Sequence, residues 1–171
     1  MRLRIVRLGQ ELEVDISEAD LFRFPDGIIG FESITEFALL PDPQGGIQWL
    51  HATGGEAVAF AVVDPFLIWP DYDVVVADAD ADLLDLSRPQ DAQVLTIITP
   101  REDPRQISTN LRAPIVINRR LRTGRQIILA DSTYGTRVPI LPALSTQAAA
   151  PAAAAQGGDG TEEQAEGRTA A

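Results

Sequence analysis

The sequence predicts a mainly β fold, a small antiparallel β-barrel-like domain with one or two short helices and a disordered C-terminal tail. Three observations carry that prediction. Apolar and acidic residues alternate at period two near the N-terminus, the pattern of a half-buried strand. Short runs rich in Val, Ile, Leu and Phe then recur, nearly all bounded by Gly or Pro, which punctuate strands with turns. From about Ala143 the composition collapses to Ala, Gly, Gln and Glu, and the stretch STQAAAPAAAAQGGDGTEEQAEGRTAA holds no aromatic and no aliphatic larger than Ala. Such a segment buries too little apolar surface to offset its ordering entropy. The expected organisation is a folded domain over 1–142 and a disordered tail over 143–171.

The elements follow in order. Leu12, Val14 and Ile16 alternate with Glu11, Glu13 and Asp15, and residues 2–8 precede them across Gly9-Gln10. A two-residue turn at that pair sets Leu3 opposite Ile16, Ile5 opposite Val14 and Arg4 opposite Asp15. Further strands are predicted over 36–40 (EFALL), 47–52 (IQWLHA), 57–63 (AVAFAVV), 93–99 (QVLTIIT), 114–118 (PIVIN) and 125–130 (RQIILA), with 136–141 as one more. Many short strands with turn signals between them indicate an antiparallel sandwich or barrel. Two segments read as helical. Residues 78–87 (DADADLLDLS) start acid-rich, offer Leu83, Leu84 and Leu86 as an apolar face and stop before Pro89. Residues 102–109 allow one helical turn with Pro104 at its first position.

Charge narrows the partners. The net charge is −11, distributed as +3 over 1–10, −16 over 11–91, +5 over 92–142 and −3 in the tail. Every basic side chain is Arg or the single His, with no Lys. This balance disfavours direct contact with nucleic acid or an anionic membrane. No run of eighteen apolar residues and no signal-peptide pattern is present, and a cytoplasmic monomer is expected. With no Cys, thiol chemistry and zinc–thiolate sites are excluded.

No dinucleotide, phosphate-loop, nucleophile-elbow or metalloprotease motif occurs. The expectation is no enzyme, no cofactor and no metal. His51 reads as an ordinary strand histidine. Asp78, Asp80 and Asp82 resemble the start of a calcium loop, but Leu83 stands where Gly is needed and Pro89 where a bidentate Glu is needed. A pair of carboxylates for hydrolysis stays open in so acidic a chain, although no pair stands out. The cluster RRLRTGR (119–125) lacks the interleaved aromatics of single-strand readers. It reads as a solvated hairpin end, with a contact to an acidic surface, the chain's own acidic block included, as its alternative.

The stretch VVDPFLIWPDYD (62–73) stands apart. Pro65 and Pro70 interrupt any ladder, so an edge strand or covering loop is predicted. Only alternate side chains of an extended segment face a core. Two of Phe66, Leu67, Ile68 and Trp69 are therefore expected outside, rimmed by Asp. The partner-binding residues this suggests are Phe66, Trp69, Asp71, Tyr72 and Asp73, with Asn110 as a polar anchor.

These residues carry a family resemblance. VVDPFLIWPDY looks like the signature of the FliW family of flagellar assembly factors. FPDGIIGFE (24–32), TPREDPRQISTNLRAPIVIN (99–118) and GRQIIL (124–129) resemble three further motifs of that family, in order and spacing. The likeness spans residues 3–140. At Arg119 this chain departs from a proline common in the family, and the acidic-Ala tail is no part of its pattern. The resemblance implies a non-enzymatic barrel-like domain that binds the translational repressor CsrA away from its RNA surface, freeing flagellin mRNA for translation. It also implies binding of flagellin, which competes. A flagellin-dedicated chaperone with little repressor binding is the alternative, and a carboxylate-based hydrolase a distant one. Gly27 and Gly30 are read as turn formers.

Overall fold

Eleven strands and one short helix make up the computed structural model, which describes residues 1–7 and 9–141. The expected disorder of the tail lies outside the described residues. In chain order the strands are β1 (Arg2–Arg7), β2 (Gln10–Asp15), β3 (Leu21–Arg23), β4 (Glu36–Pro41), β5 (Gln48–Ala52) and β6 (Ala59–Val63), followed by β7 (Ala92–Thr99), β8 (Ser108–Thr109), β9 (Ile115–Asn118), β10 (Thr123–Gln126) and β11 (Val138–Pro139). The helix α1 spans Asp78–Leu83.

Seven strands close into a barrel in the order β7-β6-β5-β4-β3-β10-β9, with β9 pairing back onto β7. Side chains alternate in and out, as a barrel requires. Phe22, Phe37, Leu39, Leu50, Val62, Leu95, Ile115 and Ile117 fill the interior together with Phe24 and Ile28. All pairings around the barrel are antiparallel except β3–β10, which is parallel and rests on one register pair, Arg23 with Thr123. There Arg23 donates its N–H to the Arg122 carbonyl at 2.9 Å. The next residue, Phe24, is fully buried and meets the Phe37 ring edge-on at 5.2 Å. Its own ring lies over Gly124. A Cβ at position 124 would sit 2.4 Å from Phe24 Cζ, so only glycine permits this approach.

Three apolar layers cover the outside. The β1–β2 hairpin lays Leu3, Ile5 and Ile16 on Ala38. Residues 64–86 cover the outer faces of β7 and β9, where Tyr72 and Leu84 pack with Val116 and Val94. A smaller cluster joins Val63, Ile68 and Ile140. The strands β8 and β11 extend β7 as a short flap.

Several expectations are corrected. The hairpin register is Leu3–Val14, Arg4–Glu13 and Ile5–Leu12, because Arg7 pairs with Gln10 and Gly9, at φ +78°, lies in the turn instead of opening it. The slip is two residues, so each side chain keeps its face, and Arg2 takes the acids, at 3.6 Å from Asp15 and 3.8 Å from Glu13. The last long strand runs over 123–126 and not 125–130, since the turn before it is confined to 119–122. The strands at 21–23 and 108–109 are too short to show a period, the first spanning three residues and the second two.

Helix α1 ends at Leu83, well before Pro89. Asp85 adopts φ +49°, and Leu86 N–H reaches back to the Ala81 carbonyl at 2.9 Å, a left-handed stop. Leu83 consequently points outward while Leu84 is buried. Over 102–109 the helical part is a single 3₁₀ turn, Pro104–Gln106, with Pro104 first and Asp103 capping the Arg105 N–H.

His51 is a strand residue, as read, but an unusually buried one. It is 2% exposed, stacks on Trp49 and leaves Nε2 without a partner. Burial, with help from the Arg7 guanidinium, pushes its imidazole down to about 4.

Two expected outcomes follow. Gly124→Ala should lower stability by about 2 kcal/mol through overpacking at Phe24, read from the urea midpoint; a change within about 0.5 kcal/mol would remove the closure argument. For His51, the folded value lies below the ordinary 6.5, so the unfolded chain takes the proton first. Stability is full above that value and is lost as pH falls toward 4, by roughly 3 kcal/mol at most. His51→Gln should flatten the stability profile between pH 6.5 and the onset of carboxylate titration; equal slopes in both proteins would contradict this.

Candidate functional site

Of the two forms expected for 62–73, the part beyond Val63 takes the covering one and forms no edge strand. After β6 ends at Val63, Asp64 caps a 3₁₀ turn, Pro65–Leu67, by accepting the Phe66 N–H on its Oδ1 at 2.9 Å. Pro65 occupies the first helical position, where its missing N–H costs nothing. The Pro65 carbonyl then accepts from both Ile68, at 3.1 Å, and Trp69, at 2.8 Å. This corrects the expected extended geometry, and with it the alternation. In the turn the adjacent pair Phe66 and Leu67 points outward, 40% and 65% exposed, while Ile68 is buried and Trp69 is half-buried between two outer clusters.

Tyr72 fixes the base of the site. It is 5% exposed and donates its hydroxyl to the Leu111 carbonyl at 2.7 Å. Burial, with the neighbouring Tyr134, holds its phenol well above the ordinary value, so it stays a neutral donor. Its ring packs on Tyr134 at 4.8 Å and on Phe66 at 5.6 Å. The Tyr134 hydroxyl in turn accepts the Asp73 N–H at 2.9 Å. Asp71 and Asp73 are exposed, and they flank Tyr72 in the chain.

Asn110 sits nearby in a supporting role. Its Oδ1 accepts the N–H groups of Arg112 and Ala113 at 3.1 and 3.0 Å, which shapes the turn whose Leu111 carbonyl receives Tyr72. Asn118, which the sequence did not single out, does the same at the other end of β9. Its Oδ1 accepts from Arg120 and Leu121, both at 3.0 Å, and its Nδ2 donates to the Leu84 and Asp85 carbonyls. It therefore ties the Arg-rich turn to the end of α1. An Asn at each end of one apolar strand run is the sequence signal that could have found it.

A groove of about 660 Å³ opens beside the turn. Its lining includes Asp64, Phe66, Tyr72 and Asp73, the cations Arg88 and Arg119, and the apolar Val94 and Val116. Trp69, Asp71 and Asn110 are not among its lining residues. Of the two groove acids, Asp64 spends an oxygen on the Phe66 amide. Two further members of the Arg-rich cluster pair with the chain's own acidic block. Arg120 meets Asp85, while Arg125 contacts Asp26 and, at 2.9 Å, Asp80. Asp80 is thus an ion-pair partner in α1. Among the described residues no group of three His, Asp or Glu side chains is placed to hold a metal ion. Gly27 and Gly30, at φ +65° and +86°, are turn formers as read; a Cβ on Gly27 would lie 2.5 Å from the Phe31 carbonyl oxygen.

Barrel, covering segment and groove together define a small closed β-barrel domain with one strapped outer face. Comparison with known proteins makes this specific. The FliW protein family model matches residues 8–140. The flagellar assembly factor FliW of Alkaliphilus metalliredigens is 37% identical over 131 residues, covering 75% of this chain and 81% of that relative. The protein of the same name from Pseudothermotoga lettingae is 40% identical over 126 residues, with 73% and 81% covered. A crystal structure of the flagellar assembly factor FliW superposes with a TM-score of 0.71 at 30% identity, covering 80% of this chain and 96% of that one. The chain belongs to the FliW family of flagellar assembly factors.

Proposed function

We propose that this chain is a non-enzymatic, cytoplasmic regulator of flagellar assembly that works by binding two proteins. One is the translational repressor CsrA, held away from its RNA surface so that flagellin mRNA is released. The other is flagellin, which competes for the same regulator and closes a feedback loop. Membership of the family supports the flagellar role, and among the described residues no helix is long and apolar enough to cross a membrane.

The observation that carries the binding reading is the outward pair Phe66–Leu67 on a capped, proline-started turn. Exposing adjacent large apolar residues is costly unless something covers them. The turn is already ordered by Asp64 and Tyr72, so little entropy is lost on docking. Phe66, Trp69, Asp71, Tyr72 and Asp73 then divide the work. Phe66 and the edge of Trp69 supply apolar contact, the two acids supply a polar rim, and Tyr72 and Asn110 hold the platform. The excess of acid across 11–91 would also raise the cost of bringing RNA close, within a Debye length of about 10 Å. A chaperone dedicated to flagellin would use the same surface, and the repressor would then fail to copurify even when flagellin is scarce.

The test is displacement of RNA from the repressor by the wild type and by a Phe66→Ala/Leu67→Ser variant, at low and high ionic strength. The variant should retain its melting temperature and lose about tenfold or more in repressor affinity. Displacement by the wild type should weaken as salt rises. Unchanged affinity in the variant would remove this surface from the interface, and salt-independent displacement would remove the electrostatic part.

A further inference from the structure

The barrel has no open edge, but the hairpin outside it does. Among the described residues β1 pairs with β2 alone. The direction of its free backbone groups follows from one contact. Met1 and Ile16 exchange both hydrogen bonds, Ile16 N–H to the Met1 carbonyl at 2.8 Å and the Met1 amine to the Ile16 carbonyl at 2.9 Å. In an antiparallel pair such exchanges alternate along the strand. With Leu3 opposite Val14, Ile5 opposite Leu12 and Arg7 opposite Gln10, these odd-numbered residues bond to β2. The N–H and C=O groups of Arg2, Arg4 and Val6 therefore point to the other edge.

That edge does not face open solvent. It borders a groove of about 520 Å³ lined by residues 2–6, by Glu11 and Glu13 of β2, and by residues 51–53 and 55–59. Ala52, Ala57 and Ala59 are among the lining residues, and such small side chains leave room for a backbone. His51 also lines the groove, almost wholly buried and with no partner for Nε2. Buried polar atoms normally have a partner, so the groove presents both a row of edge groups and a side chain still to be satisfied.

We propose that this groove takes an extended segment of a partner protein as an added strand on β1, with apolar and acidic residues alternating along it. Charge and pleat set this pattern. The outward side chains of β1 are Arg2, Arg4 and Val6, and its inward ones, Leu3 and Ile5, sit on the barrel. An added strand places alternate residues beside each row. Acids then lie beside Arg4, which makes no ion pair among the described residues, whereas Arg2 already meets Asp15 and Glu13; apolar side chains lie beside Leu3 and Ile5. The hairpin's own second strand, QELEVD, already pairs with β1 in this way on its other edge. A second copy of the chain is a poor occupant, since antiparallel pairing of two β1 edges centred on Arg4 sets Arg4 against Arg4. The groove is separate from the Phe66–Leu67 surface, and none of its lining residues is shared with the groove there.

The test uses two blocked synthetic peptides, one alternating valine with glutamate and one alternating valine with lysine. The full chain should bind the glutamate peptide in preference, and the amides of Arg2, Arg4 and Val6 should slow in hydrogen exchange. Val6→Pro removes a free-edge N–H without touching the bonds to β2 and should weaken binding about tenfold. Arg4→Glu should reverse the preference toward the lysine peptide, an outcome that a merely unfolded variant would not give. No binding of either peptide, equal binding of both, or indifference to both substitutions would overturn the proposal. So would sedimentation as a dimer that Val6→Pro converts to monomer, because the edge would then belong to a second copy.

Discussion

The fold depends on the contact between Phe24 and Gly124. All barrel pairings but one are antiparallel ladders of two to five register pairs, whereas β3 and β10 meet in parallel through one. So little backbone pairing cannot hold a closed sheet by itself. The Phe24 ring supplies what is missing, since it fills the barrel interior where a side chain at 124 would otherwise stand. Closure leaves no edge strand on the barrel. Free edges are displaced to the outlying hairpin and flap, and the proposed binding surfaces lie on the segments laid over the outside.

Arg125 and the two asparagines carry that closure outward. Arg125, one residue beyond Gly124, reaches both Asp26 after β3 and Asp80 in α1. Asn118 locks the end of α1 to the turn before β10, and Asn110 shapes the turn that receives Tyr72. Each asparagine accepts from the N–H groups two and three residues ahead, the local bonding for which this side chain is suited. The segment bearing Phe66 and Leu67 is therefore braced at Tyr72 on one end of β9 and at Leu84 on the other. Its exposed apolar pair is a consequence of that bracing and not of looseness.

Much of this was legible in the sequence. Strict alternation located the hairpin, short apolar runs punctuated by Gly and Pro located most barrel strands, and four motifs in order pointed to the family. What escaped has physical reasons. The hairpin register hung on which turn position Gly9 occupies, and a slip of two leaves the hydrophobic pattern unchanged. The helix stop at Asp85 is a left-handed residue without a glycine to announce it. At the site, the proposed residues proved of two kinds. Phe66, Asp71 and Asp73 are presented, while Tyr72 and Asn110 support. Leu67 was overlooked as a presented residue because an extended chain was assumed, although Asp64-Pro65 is itself the signature of a capped helical turn.

In the proposed function the turn at 64–73 is a preformed docking surface for the repressor. Hydrogen exchange of the full chain, with and without the repressor, tests it most directly. The account expects new protection over 64–73, with the amides of the barrel strands unchanged. Protection confined to 114–130 would contradict it and move the interface to the Arg-rich edge.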